Sequence, residues 1–531
     1  FESFENAQIV IPKTVVLCTD IFDEFMETNQ LYQVALSDAD DESILKAFLR
    51  AKLPDRLVED FFAFFEVVKS PIAIRSSSLL EDSHYQPFAG IYSTYMIPYL
   101  EDKYDMLRML SDAIKGVYAS VFYKDSKAYM QATSNVIDEE KMAVILQEVV
   151  GNQYGDRFYP SISGVARSIN YYPINEELAE EGTVSLALGL GKYIVDGGLT
   201  LRVCPYHPDK VLQTSEMEMA LRETQTRFYA LDLKNTGENF SLDDGFNLLK
   251  LPVKEAEKDG ALTFIASTYD PYDMVIRDGI YPGGRKVITF ANILQHDVFP
   301  LARILQLVQK YGQGEMRRPV EIEFAVNLNS KEKSGVFYLL QIRPMVDVKA
   351  DLGEDLNLVP SERILLKSEN SLGHGIMNDI QDVIYVKTDG YSASNNQLIA
   401  YDIEKLNRRF LDEGKNYVLV GPGRWGSSDT WLGIPVKWPN ISAARIIVEA
   451  GLTNYRVDPS QGTHFFQNLT SFGVGYFTIN PYMNDGIYNQ EILNAMPAVE
   501  ETRYLRWVRF EKPLIIKMDG KKKLGVVVLP E

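Results

Sequence analysis

The strongest constraint on the fold is a pair of short runs, VEIEFAV at 320–326 and VFYLLQIRPM at 336–345, separated by a polar, turn-rich stretch from Asn327 to Gly335. Two apolar, β-favouring runs joined in this way predict an antiparallel hairpin. Side chains alternate between the faces of a strand, so Glu321 and Glu323 share one face of the first run, and Gln341 and Arg343 share one face of the second. The hairpin can therefore set two carboxylates beside an amide and a guanidinium. Carboxylate and amide oxygens are hard ligands of the kind Mg²⁺ takes, and an arginine fork matches the phosphates that accompany it. Spacing alone leaves two readings open: a site for a Mg-nucleotide, or a surface ladder of ion pairs across a hairpin.

The rest of the chain places that hairpin in a larger protein. Apolar residues Leu107, Leu110, Ile114, Val117 and Val121 recur at helical steps between Asp105 and Met130, as do Leu301, Ile304, Leu305 and Val308. β-rich runs such as Ala143 to Val150 and Lys286 to Phe290 lie between them, predicting an α+β or α/β architecture. A chain of 531 residues is too long for one core. The acidic, aperiodic stretch DVKADLGEDLNLVPS (347–361) reads as a linker, giving a first domain over 1–347, a linker over 348–362 and a second domain over 363–531. In the second domain, Val418 to Val420, Arg445 to Val448 and Val474 to Ile479 read as short strands. A net charge of −19 opposes nucleic acid as a partner. No apolar run is long enough for a membrane span. The two cysteines, Cys18 and Cys204, lie in apolar surroundings and point to buried free thiols and a cytoplasmic setting. The chain opens at Phe1 rather than Met, which leaves room for sequence upstream.

Four segments occur in one order: IAIRSSSLLEDSHYQPFAGIYSTY (72–95), MAVILQEVVG (142–151), SLALGLGKYIVDGG (185–198) and the hairpin. Together with the extended opening from Val10 to Phe25, they resemble the N-terminal domain of the phosphoenolpyruvate synthase and pyruvate phosphate dikinase family. The resemblance covers roughly 1–347 and implies an ATP-grasp nucleotide-binding domain that uses Mg²⁺ and takes ATP as phosphoryl donor. It makes Arg75 a contact to the ATP phosphates, a task suited to a planar multidonor side chain. The stretch to Gly90 becomes a loop over the phosphates, and the Gln147, Glu148 and Val150 segment the hinge whose backbone receives adenine. Glu321, Glu323, Gln341 and Arg343 fall on the family's acidic and Gln-x-Arg positions, with Glu323 and Gln341 as metal ligands and Arg343 as a phosphate contact. Two departures stand out. Nothing before Val10 supplies the family's glycine-rich segment with its phosphate-binding lysine, so that segment lies upstream or nucleotide binding is impaired. Lys192 stands where many relatives have glutamate, which either rearranges phosphate contacts or faces solvent; Lys124 and Asp125 stand near a position that is often arginine.

In the second domain, His464 follows Gly462 and Thr463 at the start of a helix-capable stretch, where a helix N-terminus can stabilise a phosphate on the ring. A packed or capping histidine explains the same local pattern. The order VLVGPGRWGSSDTW, ARIIVEAG, GTHFF, GVGYFTI is similar to the swivelling phosphohistidine domain of the same enzymes, a smaller α/β domain in which His464 takes the carrier position. Phe465 and Phe466 replace small residues there. Arg424 and its neighbours read either as a phosphate-receptive loop or as a surface turn. The implied function is a dikinase-like phosphotransferase in which His464, Arg75 and Arg343 carry the chemistry and the acceptor is a small molecule or a domain on another chain. No stretch is long enough for the family's large pyruvate- or phosphoenolpyruvate-binding barrel. The rival is a nucleotide-sensing regulatory protein that keeps the ATP-grasp fold without phosphoryl transfer.

Overall fold

The computed structural model describes residues 4–78, 91–132, 140–170, 176–215, 217–234, 240–345, 359–373, 375–427, 429–453, 455, 474–519 and 522–530. Helices and strands are mixed throughout, and the chain divides into two compact units with the change between them after Met345.

In the first unit the elements that matter run β1 (Ala7–Val10), β2 (Thr14–Leu17), α1 (Thr19–Thr28), β3 (Ile72–Ser78), β4 (Tyr95–Ile97), α2 (Lys103–Ser120), β5 (Met142–Glu148), β6 (Ile162–Arg167), β7 (Thr183–Ala187), β8 (Leu201–Val203), α3 (Leu301–Met316), β9 (Val320–Asn329) and β10 (Ser334–Pro344). They build a six-stranded sheet in the order β1-β10-β9-β6-β7-β8 and a four-stranded sheet in the order β2-β5-β3-β4. The α3 stripe buries Leu301, Ile304 and Leu305 in the core that also receives Ile322, Phe324 and Val326 of β9. Gly164 of β6 sits under Phe324, where an added Cβ would lie 2.1 Å from the ring.

The expected hairpin is present, pairing Glu321 with Arg343 and Glu323 with Gln341. Its ladder then slips, because Phe324 faces Leu339 and Leu340 is left as an extra residue. This bulge has a packing cause. Phe337 and Leu339 pack on the same core as Ile342, a set that strict alternation would split between two faces. The extra residue lets Ile342 turn inward while Gln341 and Arg343 project from the other face.

Two expectations need correction. The stripe from Asp105 to Met130 is not one helix, since α2 stops at Ser120 and a second helix spans Lys124–Ala132. The Ser120 hydroxyl donates to the Val117 carbonyl at 2.7 Å and the Ser126 hydroxyl to the Ser120 carbonyl at 2.6 Å, side-chain bonds that compete with the helical ladder. Cys204 is buried but Cys18 is exposed, because it caps α1 just beyond β2, the edge strand of its sheet.

The second unit contains the helix α4 (Asn396–Asp412) and the strands β11 (Ile364–Ser368), β12 (Gly375–Val386), β13 (Tyr417–Pro422), β14 (Ala444–Ala450), β15 (Gly475–Ile479), β16 (Leu505–Asp519) and β17 (Leu524–Val528), these strands all in one ten-stranded sheet. β12, β13, β14 and β15 are mutually parallel neighbours, and β16 joins β12 in the antiparallel sense. Their near-continuous apolar runs are what a parallel sheet covered on both faces requires. Residues 346–358, most of the expected linker, lie outside the described residues.

Candidate functional site

The two sheets of the first unit meet at Arg75. The side chain leaves β3 of the four-stranded sheet, and its Nη2 donates to Glu323 Oε2 and to Gln341 Oε1 on the six-stranded sheet, each at 2.7 Å. Its Nη1 donates to Gln147 Oε1 at 3.3 Å. Gln147 stands on β5, next to β3, and its amide nitrogen donates to the carbonyl of the bulged Leu340 at 3.1 Å and to Thr14 Oγ1 at 3.4 Å. Four of the residues singled out from the sequence thus converge, and Arg75 and Glu323 retain 19% and 18% side-chain exposure. The donor set also fits Mg²⁺. A carboxylate oxygen of Glu323 and the amide oxygen of Gln341 aim at one point, where the Arg75 guanidinium nitrogen stands in for a cation.

Glu321 and Arg343 go elsewhere. Arg343 Nε donates to Glu321 Oε1 at 2.9 Å, and Arg167 Nε of β6 donates to Glu321 Oε2 at 2.7 Å. Glu321 is 3% exposed and Arg167 4%, so that pair is buried, while Arg343 keeps 13% side-chain exposure. Arg167 was not singled out from the sequence. Its one signal is a guanidinium at the end of the otherwise small and apolar run ISGVAR.

In the hinge segment, the Glu148 and Val149 N–H groups donate to the carbonyls of Lys13 and Pro71 at 2.9 and 2.8 Å, so these two donors are not available to a base. The Glu148 carboxylate accepts from Ser70 Oγ at 2.9 Å. Val150 is buried. Lys192 does not simply face solvent: it is about a quarter exposed and pairs with Asp244 at 3.3 Å, which in turn accepts from the Thr94 N–H at 3.2 Å. Lys124 is exposed, its N–H donating to Asp41 at 2.8 Å.

In the second unit, the Gly-Arg-Trp turn folds tightly. Arg424–Trp425 pairs with Gly433–Ile434, and the buried Trp425 indole donates to the Val448 carbonyl at 2.9 Å. Glu449, at the end of β14, is fully buried and accepts from the Trp425 N–H at 3.3 Å and from the Tyr476 hydroxyl. His464, like the expected phosphate loop over 79–90, lies outside the described residues.

Comparison with known proteins finds a family match over the first unit. Residues 2–356 match the family model described as pyruvate phosphate dikinase, AMP/ATP-binding domain. A curated relative, the uncharacterized phosphotransferase YvkC of Bacillus subtilis (strain 168), is 28% identical over 190 residues, covering 36% of this chain and 20% of the relative. The phosphoenolpyruvate synthase of Aeropyrum pernix is 25% identical over 315 residues, covering 57% of this chain and 33% of the relative. The aligned regions thus span about a fifth and a third of these relatives' lengths. With the match extending over most of its residues, the chain belongs to the pyruvate phosphate dikinase AMP/ATP-binding domain family.

Proposed function

We propose that the chain handles ATP for a phosphotransferase: it binds Mg-ATP between the two sheets of its first unit and passes a phosphoryl group to His464, for an acceptor that is a small molecule or a domain on another chain. The observation that carries this reading is the convergence of Arg75, Gln147, Glu323 and Gln341 from two different sheets on one partly exposed point. Arg75 is placed to exchange its protein oxygens for phosphate oxygens, a swap between charge-assisted bonds of similar strength. Bound by Glu323 and Gln341, Mg²⁺ supplies neutralisation of phosphate charge. The backbone at Glu148 and Val150 takes the adenine, and Glu321 holds the Arg343 guanidinium on the face of the hairpin that also carries Gln341. In the transfer itself the neutral imidazole of His464 forms a P–N bond to the β-phosphorus as the P–O bond to the departing AMP breaks, and the γ-phosphoryl then passes to water as inorganic phosphate, leaving the β-phosphoryl on the ring, with Arg75 and Arg343 offsetting the charge that develops.

A second reading, a nucleotide sensor without transfer, draws support from one observation: Arg343 is already committed to a buried carboxylate. Incubation with ATP labelled separately at the β and γ positions separates the two. We expect AMP and an acid-labile label on His464 that His464→Ala abolishes while nucleotide binding survives. Tight ATP binding with no phosphohistidine would favour the sensor.

A further inference from the structure

At the far edge of the six-stranded sheet, away from Glu321 and Glu323 in strand order, β8 runs into the turn Cys204-Pro205-Tyr206-His207. The turn closes with the His207 N–H donating to the Cys204 carbonyl at 3.0 Å. Opposite lies the single 3₁₀ turn Ala179–Glu181, whose Glu181 Oε2 accepts the Leu178 N–H at 2.9 Å. That same oxygen lies 3.7 Å from Cys204 Sγ and 3.1 Å from His207 Nε2, and the three ligand atoms are all within 4.8 Å of one another. We propose that Glu181, Cys204 and His207 form a binding site for a borderline transition-metal cation, with Zn²⁺ as the natural occupant and solvent in the fourth position.

Four features carry this. The first is separation. Tetrahedral zinc with the usual metal–ligand lengths sets sulfur and oxygen about 3.5 Å apart and nitrogen and oxygen about 3.3 Å apart, close to the spacings found here. The second is sequence spacing, since Cys-x-x-His places two ligands on one tight turn in the way zinc-binding Cys-x-x-Cys turns do. The third is support: the Leu178 N–H fixes the Glu181 carboxylate, the kind of outer-shell bond that orients a metal ligand. The fourth is access, for Cys204 is buried while His207 keeps 23% side-chain exposure, which gives an ion a way in. A thiolate, imidazole and carboxylate set selects zinc-like ions over the hard Mg²⁺ that accompanies ATP, so the site is chemically separate from the nucleotide cleft. Binding displaces the Cys204 thiol proton to solvent and ties the edge strand β8 to the 3₁₀ turn, with no change in oxidation state. Ion pairing alone, His207 with Glu181, is the competing account of the same contacts.

Cobalt substitution decides between them. Metal-free protein titrated with Co²⁺ should take up one equivalent and develop a thiolate-to-cobalt charge-transfer band with intense tetrahedral ligand-field bands, in the presence of excess Mg²⁺. Zn²⁺ measured against a chromophoric chelator should bind more than about 100-fold more weakly to His207→Ala and to Cys204→Ser, beyond the loss seen when an outer-shell partner is removed. Glu181→Gln keeps the size and an acceptor oxygen, so it guards against misfolding of the buried cysteine variant and should also weaken Zn²⁺. Absence of the charge-transfer band in the wild-type protein, or Zn²⁺ affinity unchanged in His207→Ala, would overturn the proposal. Neither result bears on ATP binding.

Discussion

Two carboxylates on one strand, Glu321 and Glu323, sit two residues apart on the same face of β9 and live in different worlds. Glu321 is 3% exposed and clamped between the guanidiniums of Arg343 and Arg167, both from its own sheet. Glu323 is 18% exposed and meets one guanidinium that arrives from the other sheet. Burial decides what each can do. An ion pair sealed in the interior has already exchanged its hydration for fixed partners, and removing one partner strands the others. A pair that stays partly exposed can trade partners at little cost, because water compensates for the lost contact. The hairpin thus combines a permanent strut and an exchangeable contact within two residues of each other.

Breaking the strut should have the largest effect. Glu321→Ala leaves the buried Arg167 guanidinium without its carboxylate, beside the partly exposed Arg343, and should cost about 3 to 5 kcal/mol of unfolding free energy. A urea midpoint unchanged from wild type would mean that Glu321 carries no structural weight and the contrast drawn here fails. The next effect lies at the exchangeable end. Glu323→Gln should weaken Mg-ATP by about 1.5 to 3 kcal/mol while shifting stability by less than about 1 kcal/mol. Calorimetry and urea unfolding on one preparation check both halves. Equal losses in binding and stability would make Glu323 a second strut.

The smallest effect sharpens the comparison by adding a third environment. Glu140 is buried like Glu321, but hydroxyls hold it: Tyr92 donates to it at 3.2 Å, and Ser78 bonds it as well. Burial pushes its carboxyl above the ordinary value of 4.5, and the two hydroxyl bonds only partly offset this. A raised folded-state value means that its contribution to stability is full below about pH 4.5 and is lost as the pH rises through the folded value. Glu140→Gln stays neutral and escapes that loss, so the variant should gain on wild type as the pH rises, by a fraction of a kcal/mol to about 1 kcal/mol. Unfolding curves for the two proteins that stay parallel from about pH 4 to about pH 8 would show that hydroxyls suffice to hold a buried charge.

The sequence made the hairpin and its paired clusters readable because Glu321, Glu323, Gln341 and Arg343 all lie on one side of the bulge, where alternation holds. It did not show that only one of the two carboxylates reaches the cleft. That outcome depends on Arg167, brought alongside by strand pairing between residues 154 positions apart. Nor does spacing place Arg75 against Glu323, 248 positions away; the family resemblance assigned both to one nucleotide site but not to each other. The break after Ser120 escaped a reading based on apolar period, since it rests on two serine hydroxyls that the period ignores. The bulge had a visible mark: the core-facing residues Phe337, Leu339 and Ile342 step by two and then by three.

That step of three behaves like a shift of reading frame. Upstream of Leu340 the odd-numbered side chains of β10 belong to the core, and downstream the even-numbered ones do. Drawing Leu340 into the ladder as an ordinary paired residue would trade destinies, sending the polar Gln341 and Arg343 inward and Ile342 outward, whereas deleting it would give a regular ladder with every side chain on its present face. Removing two residues from the turn at the hairpin's tip would shorten both arms and leave every address intact. The faces of this stretch therefore depend on leaving one residue out of the count, and the Leu340 carbonyl, caught by Gln147, is the physical trace of that omission.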